Sequence, residues 1–416
     1  MIIFYRKFFL YISVFILLSP LSITLMELSG KPVDLVLSDF LLMLVPLALL
    51  TSGFKSKYTV LIPALMIFFY LSLSAFSAIL DGGQLSNVVS SLRFTKQFLL
   101  ITAGGAFFLV FGKVDVDVVI RVSITILIII LASDLFFGSF PRGCGYEGRW
   151  GGCFIQREVY GFPNSSASYM VILFLGILFL HSINLVPAKN VIYVFSIVII
   201  LSVLSLSRTA WFTIALGGLA FLITLRKPIF IAIYTFLFLF LSLFVYYNFK
   251  DISTLPIFEG IVNKISYYAN GNEVTSGRTD IWFDTIVLWA ERPLFGFGFD
   301  YFSNYVPGFD TPHQQYLELL FKSGLIGLFL YLSLCLKVVF MLSDYFCKAS
   351  FLKSRYVLFR LIFILVFPVL INGLFQPILS YSIVSNMIMF ILGYILEFNK
   401  SNYLEGYNET GTTRYV

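Results

Sequence analysis

Charge is what this sequence has least of. Asp, Glu, Lys and Arg make up 12% of the 416 residues, about half the share found in soluble domains. That deficit excludes an ordinary soluble fold. No run of Lys and Arg exceeds two residues and the net charge is only +6, so nucleic acid is not an expected partner. Cysteine is scarce as well, and four residues are too few for a disulfide scaffold. No cluster of His, Cys, Asp or Glu has metal-ligand spacing. Walker and Rossmann glycine fingerprints are missing too. The expectation is a chain that uses no metal, no nucleotide and no other cofactor.

Apolar residues are abundant instead: 59% hydrophobic and 18% aromatic, with a mean hydropathy of +0.93. Stretches of roughly 18–25 apolar residues recur from end to end, each long enough to cross a hydrocarbon core as a helix. The runs are continuous rather than alternating, which selects helices over a barrel. The expected fold is therefore all-α and polytopic.

Basic residues set the orientation, since short cytoplasmic loops collect them. Arg6 and Lys7 place the N-terminus inside. An apolar run follows them, as in a signal peptide, but no small-residue cleavage site does, so it reads as an uncleaved first helix. Spans are expected at about 8–27, 35–53, 59–80, 92–112, 118–137, 167–184, 190–206, 209–225, 228–249, 314–340, 357–375 and 378–397. That makes about twelve spans in one domain, 1–397, with a cytoplasmic tail, 398–416. Inner turns would carry Lys55, Lys57, Lys113, Lys189, Arg226, Lys227, Lys348, Lys353 and Arg355. Two long outer loops remain, at about 138–166 and 250–312. No internal repeat is visible.

The first outer loop holds Arg142, Arg149, Arg157, Glu147 and Glu158 among many glycines. Cys144 and Cys153 lie in it, on the side where disulfides persist. A loop-closing bridge is expected, with two unpaired thiols as the alternative. In the second loop, Ser276 is placed to cap a helix over about 277–291, and Pro293 to end it. Trp282, Ile286 and Trp289 give that helix an apolar face suited to a membrane interface. Arg278, Asp280, Asp284, Glu291 and Arg292 gather on or beside it. A glycine-interrupted loop (Gly296, Gly298, Gly308) then leads to Pro312-His313, with Tyr316 and Glu318 just inside the next apolar helix.

Arg208 sits at the tip of a tight hairpin between Leu206 and Trp211. A partly desolvated arginine there is costly unless it meets an anion, and its donor fork suits the oxygens of a lipid diphosphate. The alternative is a side chain snorkelling to ordinary headgroups. Of the two histidines, His181 falls at an inner helix end, which leaves His313 on the outer face. An imidazole titrating near neutrality can take a proton from a hydroxyl; a helix cap is the competing role. Glu318 could orient that base or pair with an arginine.

The segments SLSRTAW, GRTDIW and PLFGFGFDYF…TPHQQYLELLFKSGLIGLFLYL, in that order, resemble the O-antigen ligase and polymerase family. GFPN, from Gly161 to Asn164, is similar to a further pattern of that family, and the likeness covers roughly residues 150–332. Gln314 stands where the family usually has Asn, and Lys322 where an acidic residue is common. The resemblance implies glycosyl transfer from an undecaprenyl-diphosphate-linked glycan, without metal or nucleotide sugar, on a fold similar to GT-C glycosyltransferases. It places Arg208 and Arg278 on the donor diphosphate and makes His313 the base for the acceptor hydroxyl. Arg292, Tyr316, Glu318, Arg149 and Asn164 are further substrate-binding candidates.

Two enzymes share this chemistry. A polymerase joins lipid-linked repeats to one another; a ligase moves finished polymer to lipid A-core. The Phe- and Ile-rich composition and Gln314 favour a polymerase of O-antigen or capsule. A flippase for the same lipid is the non-enzyme alternative, but such transporters show repeated halves and polar groups near the midplane. The expected setting is the bacterial inner membrane with the site facing the periplasm. Expected partners are lipid-linked donor and acceptor, membrane lipids, and the flippase and chain-length regulator of the pathway.

Overall fold

The computed structural model describes residues 2–19, 22–28, 31–51, 53–80, 85–137, 163–205, 207–225, 278–299, 302–309, 311–350, 352–376 and 382–410. In chain order the elements are α1 (Ile2–Leu18), β1 (Ser22–Leu28), β2 (Lys31–Val36), a 3-10 segment (Leu37–Met43) and α2 (Leu44–Thr51). There follow α3 (Tyr58–Leu80), α4 (Leu85–Phe111), α5 (Val116–Phe137), α6 (Pro163–Ser182), α7 (Ala188–Ser205) and α8 (Arg208–Thr224). Then come α9 (Arg278–Glu291), α10 (Gln315–Ser350), α11 (Ser354–Leu361), a π segment (Ile362–Val366), α12 (Phe367–Gly373) and α13 (Ser382–Thr410).

Among the described residues, five helices are long and apolar enough to cross a membrane: Tyr58–Ser77, Phe94–Phe111, Val116–Ser133, Gln315–Lys348 and Ser354–Gly373. The protein is a predominantly helical, multi-pass membrane protein. The expected span 228–249, and Arg149, Cys144, Cys153 and Ser276 in the outer loops, lie outside the described residues.

Three expectations need correction. The first helix stops at Leu18 rather than near residue 27, and an antiparallel hairpin pairs Ser22 with Val36 and Leu28 with Lys31. Pro20 cannot continue a helix, and the two paired runs alternate polar and apolar residues as strands do. The second expected span opens as 3-10 before α2. At the other end, α13 runs on to Thr410 through the polar tail; polarity rules out a span there, not a helix.

The chain forms two compact units. Unit one comprises Met1–Val122, Asp284–Phe346 and Leu379–Val416. In it α4 and α13 touch backbone to backbone. A Cβ on Gly393 would stand 1.7 Å from the Ile101 carbonyl oxygen, and one on Gly104 2.0 Å from that of Phe390. Small residues permit that approach where lipid supplies no hydrophobic drive between helices. Glu397, fully buried on α13, accepts from the backbone N–H of Ser56 (3.1 Å) and Lys55 (3.2 Å) and from the Thr59 hydroxyl (2.9 Å). A carboxylate at the start of α3 meets the positive end of that helix. Farther along α4, Lys96 pairs with Asp39 at 2.7 Å.

Unit two comprises Ser123–Phe283 and Cys347–Ile378. Here α6 packs against α7 and α8, and α6 and α8 pack with α11, the π segment and α12. Pro368 offers no N–H to the preceding turn, which accounts for the widened π segment just before it. Arg360 donates to the Ser182 carbonyl and so closes the C-terminus of α6.

Candidate active site

In unit one the site is built around a break in α10. Gly324 has φ +60° and ψ −165°, a conformation open essentially to glycine alone. The break frees backbone N–H groups that must find partners at membrane depth. They find them in the loop after α9: Leu325 donates to the Pro293 carbonyl (2.9 Å) and Ile326 to that of Leu294 (3.3 Å). In return Phe297 donates to the Phe321 carbonyl at 2.7 Å. The contact is so close that a Cβ on Gly296 would lie 2.4 Å from the Phe321 oxygen. Aromatic rings fix the joint, with Phe297 stacked on Phe321 (centroids 5.3 Å) and Tyr305 and Phe302 edge-on to the same cluster. The PLFGFG run is thus a wedge seated in a broken helix.

The first half of α10, Gln315 to Ser323, carries the chemistry. His313 precedes it with φ +54°, one of two described non-glycine residues in the left-handed region. Such a conformation costs on the order of 1 kcal/mol and concentrates at functional sites. The Gln314 side chain accepts from the Leu317 N–H at 2.5 Å, while His313 Nδ1 lies 3.4 Å from the Thr311 hydroxyl. Tyr316 is half-buried and Glu318 is 2% exposed. Glu318 Oε1 accepts from Lys322, one turn farther along, rather than from an arginine or from His313. Lys322, the departure from the family pattern, is therefore the counter-ion of a buried carboxylate.

Beside this wedge, α3 and the loop enclose a pocket of about 270 Å³ lined by Leu73, Phe76, Ser77, Arg292, Leu294 and Phe295 among others. The Arg292 guanidinium stacks over the Phe297 ring at 4.6 Å.

Unit two brings three other candidates to one end. Asn372 donates to the Thr213 hydroxyl (2.8 Å), and its Oδ1 lies 3.5 Å from the Ser168 hydroxyl. Ser168 is near the start of α6 and Thr213 near the start of α8. Three residues beyond Asn372, the Phe375 carbonyl accepts from Arg278 Nη1 at 3.0 Å. So Asn164, second in α6, Arg208, first in α8, and Arg278, first in α9, share this end of the unit. The Ser207 hydroxyl caps α8 through the Ala210 N–H at 3.4 Å.

On α9 the buried side is Ile281 and Thr285; of the Trp282–Ile286–Trp289 stripe the two tryptophans are half-buried and Ile286 is exposed, with Phe283 and Val287 exposed beside it. The exposed side is the one suited to an interface. The sequence reading missed Asn372, the Gly296–Gly324 joint and the Asp39–Lys96 pair. Only the last had a plain signal, two charges inside expected spans.

No curated protein matches the chain. Residues 191–332 match the family model described as O-antigen ligase. That stretch takes in Arg208, Arg278, Arg292, His313, Tyr316 and Glu318.

Proposed function

We propose that this protein is a surface-polysaccharide polymerase of the bacterial inner membrane. It joins undecaprenyl-diphosphate-linked repeats on the periplasmic face by inverting, metal-independent glycosyl transfer. About twelve spans in a GT-C-like arrangement, as one domain over 1–397, belong to the same proposal. The observation that carries it is the end of unit two. There α8 and α9 each open on an arginine, and Arg278 is anchored on the Phe375 carbonyl.

Helix N-termini already favour anions, and arginine adds a bidentate fork for phosphate oxygens. Arg208 and Arg278 hold the donor diphosphate and stabilise the charge that grows on it as it leaves. His313 takes the proton of the acceptor hydroxyl as that oxygen bonds to the anomeric carbon. The carbon–phosphate-oxygen bond breaks on the opposite face, and lipid diphosphate departs. Tyr316, Glu318, Arg292, Arg149 and Asn164 are assigned to glycan and lipid binding. The chain-length regulator and flippase act with it as partners.

The family model's description favours a second reading, the ligase that moves polymer to lipid A-core. Deletion followed by gel analysis of surface glycans separates the two. A core capped with single repeats supports the polymerase. Bare core with polymer retained on undecaprenyl replaces it with the ligase, and an unchanged glycan profile removes both.

A further inference from the structure

The pocket between α3 and the loop after α9 enters the scheme above only through Arg292, assigned there to substrate binding without a stated ligand. Its walls are hydrocarbon: Leu73 and Phe76 from one side, Leu294 and Phe295 from the other. Ser77 does not make it polar, because its hydroxyl is turned to the Phe297 carbonyl. The charged residue on the wall is Arg292. Phe76 is 56% exposed and Leu294 53% exposed, so the mouth is apolar as well. It lies at the end of the candidate span Tyr58–Ser77. An apolar cleft in a membrane-spanning helix takes a hydrocarbon chain, and a guanidinium at its edge takes the anion at the end of that chain.

We propose that this pocket, with Arg292, binds the polyisoprenyl chain and phosphate of the acceptor lipid, as a site separate from the donor arginines. The inference rests on the polymerase reading, in which both substrates are lipid-linked and two lipid sites are required. All eight residues that line the pocket belong to unit one, and Arg208 and Arg278 to unit two. The pocket wall is also fused to the helix of the proposed base, because the Pro293 and Leu294 carbonyls bond to Leu325 and Ile326 of α10. A lipid seated there is presented to the element that His313 heads. A pocket of about 270 Å³ takes a short segment of one chain, the isoprene units next to the phosphate, and leaves the rest of the lipid in the bilayer.

The test counts lipids. Full-length protein in phosphatidylcholine nanodiscs is titrated with undecaprenyl phosphate and examined by native mass spectrometry. Wild type should bind two molecules, and the Arg208→Ala/Arg278→Ala variant one. Adding Arg292→Gln should weaken the remaining site by about 10–100-fold, the worth of charge-assisted hydrogen bonds. Adding Leu73→Trp instead should fill the pocket; Arg292→Gln leaves the packed wall intact and keeps the test valid if the tryptophan variant does not fold. The proposal is overturned if the double arginine variant binds none, or if Arg292→Gln binds normally. Displacement by an equal concentration of phosphatidylglycerol would reduce the pocket to an ordinary lipid contact and overturn it too. Two bound lipids on a protein that transfers no glycan would uphold the lipid site and sink the enzymatic reading instead.

Discussion

The two ends of α9 treat arginine in opposite ways. Arg278 is its first residue, where a positive side chain opposes the helix dipole; Arg292 follows its last, where the dipole welcomes one. Arg292 also gains a ring to stack on, Phe297, so local physics accounts for it. Arg208 repeats the disfavoured placement at the start of α8. Each such placement costs about 0.3–1 kcal/mol, and twice in one unit it falls at the same end. A residue set against its own helix is a sign of selection for something other than stability. The α10 break is the reverse case: each unusual feature there, from Gly324 to the aromatic stack, serves packing.

The largest expected effect breaks the packed side of this comparison. Gly324→Ala adds a Cβ 2.3 Å from the Leu294 carbonyl, backbone that cannot swing aside, and does so at a glycine-only conformation. Thermal melting in detergent should show loss of the folded protein together with loss of transfer. A variant that melts like wild type would mean that the wedge does not hold the helix.

Arg208→Ala and Arg278→Ala should behave otherwise. Transfer should be abolished, while the melting temperature stays within a degree or two of wild type. For Arg278 the lost hydrogen bond to Phe375, worth about 0.5–1.5 kcal/mol, is offset by removing about 0.3–1 kcal/mol of dipole repulsion. Arg→Lys should restore only part of the activity, because a point charge replaces a fork. Full activity in Arg278→Lys, or a large drop in melting temperature in Arg278→Ala, would dissolve the contrast.

What the sequence made legible follows from the same division. Tyr58–Leu80, Val116–Phe137 and the bounds of α7 and α8 were readable to within a few residues, since a continuous apolar run has one solution in lipid. The hairpin at Ser22–Val36 was hidden because its apolar residues merged with the run before it. The arginines and His313 could be singled out because polar groups are rare in this chain. Their partners could not. That Gln314 caps α10 and that Lys322 serves Glu318 depends on where α10 begins. The seating of PLFGFG in the break depends on contacts between Gly296 and Phe321 that no spacing rule records.

His313 is where the two kinds of residue meet, and it gives the smallest but sharpest expectation. Its left-handed backbone sits in the packed region, and Glu318 takes Lys322 as its partner rather than this imidazole. As the base it should contribute roughly 10²–10⁴-fold to turnover. His313→Gln keeps hydrogen bonding without proton acceptance, and His313→Asn also tolerates the left-handed backbone. Both should lose that factor while the donor lipid still binds and the melting temperature holds. In wild type, protonation removes the lone pair that accepts the proton. Turnover should therefore fall as pH drops through the range in which that imidazole takes up its proton, and stay high above it. That acid limb should vanish in both variants. If His313→Asn kept normal turnover and the same pH profile, the residue would hold the turn before α10 and nothing more, and the arginines would be left as the whole of the catalytic charge.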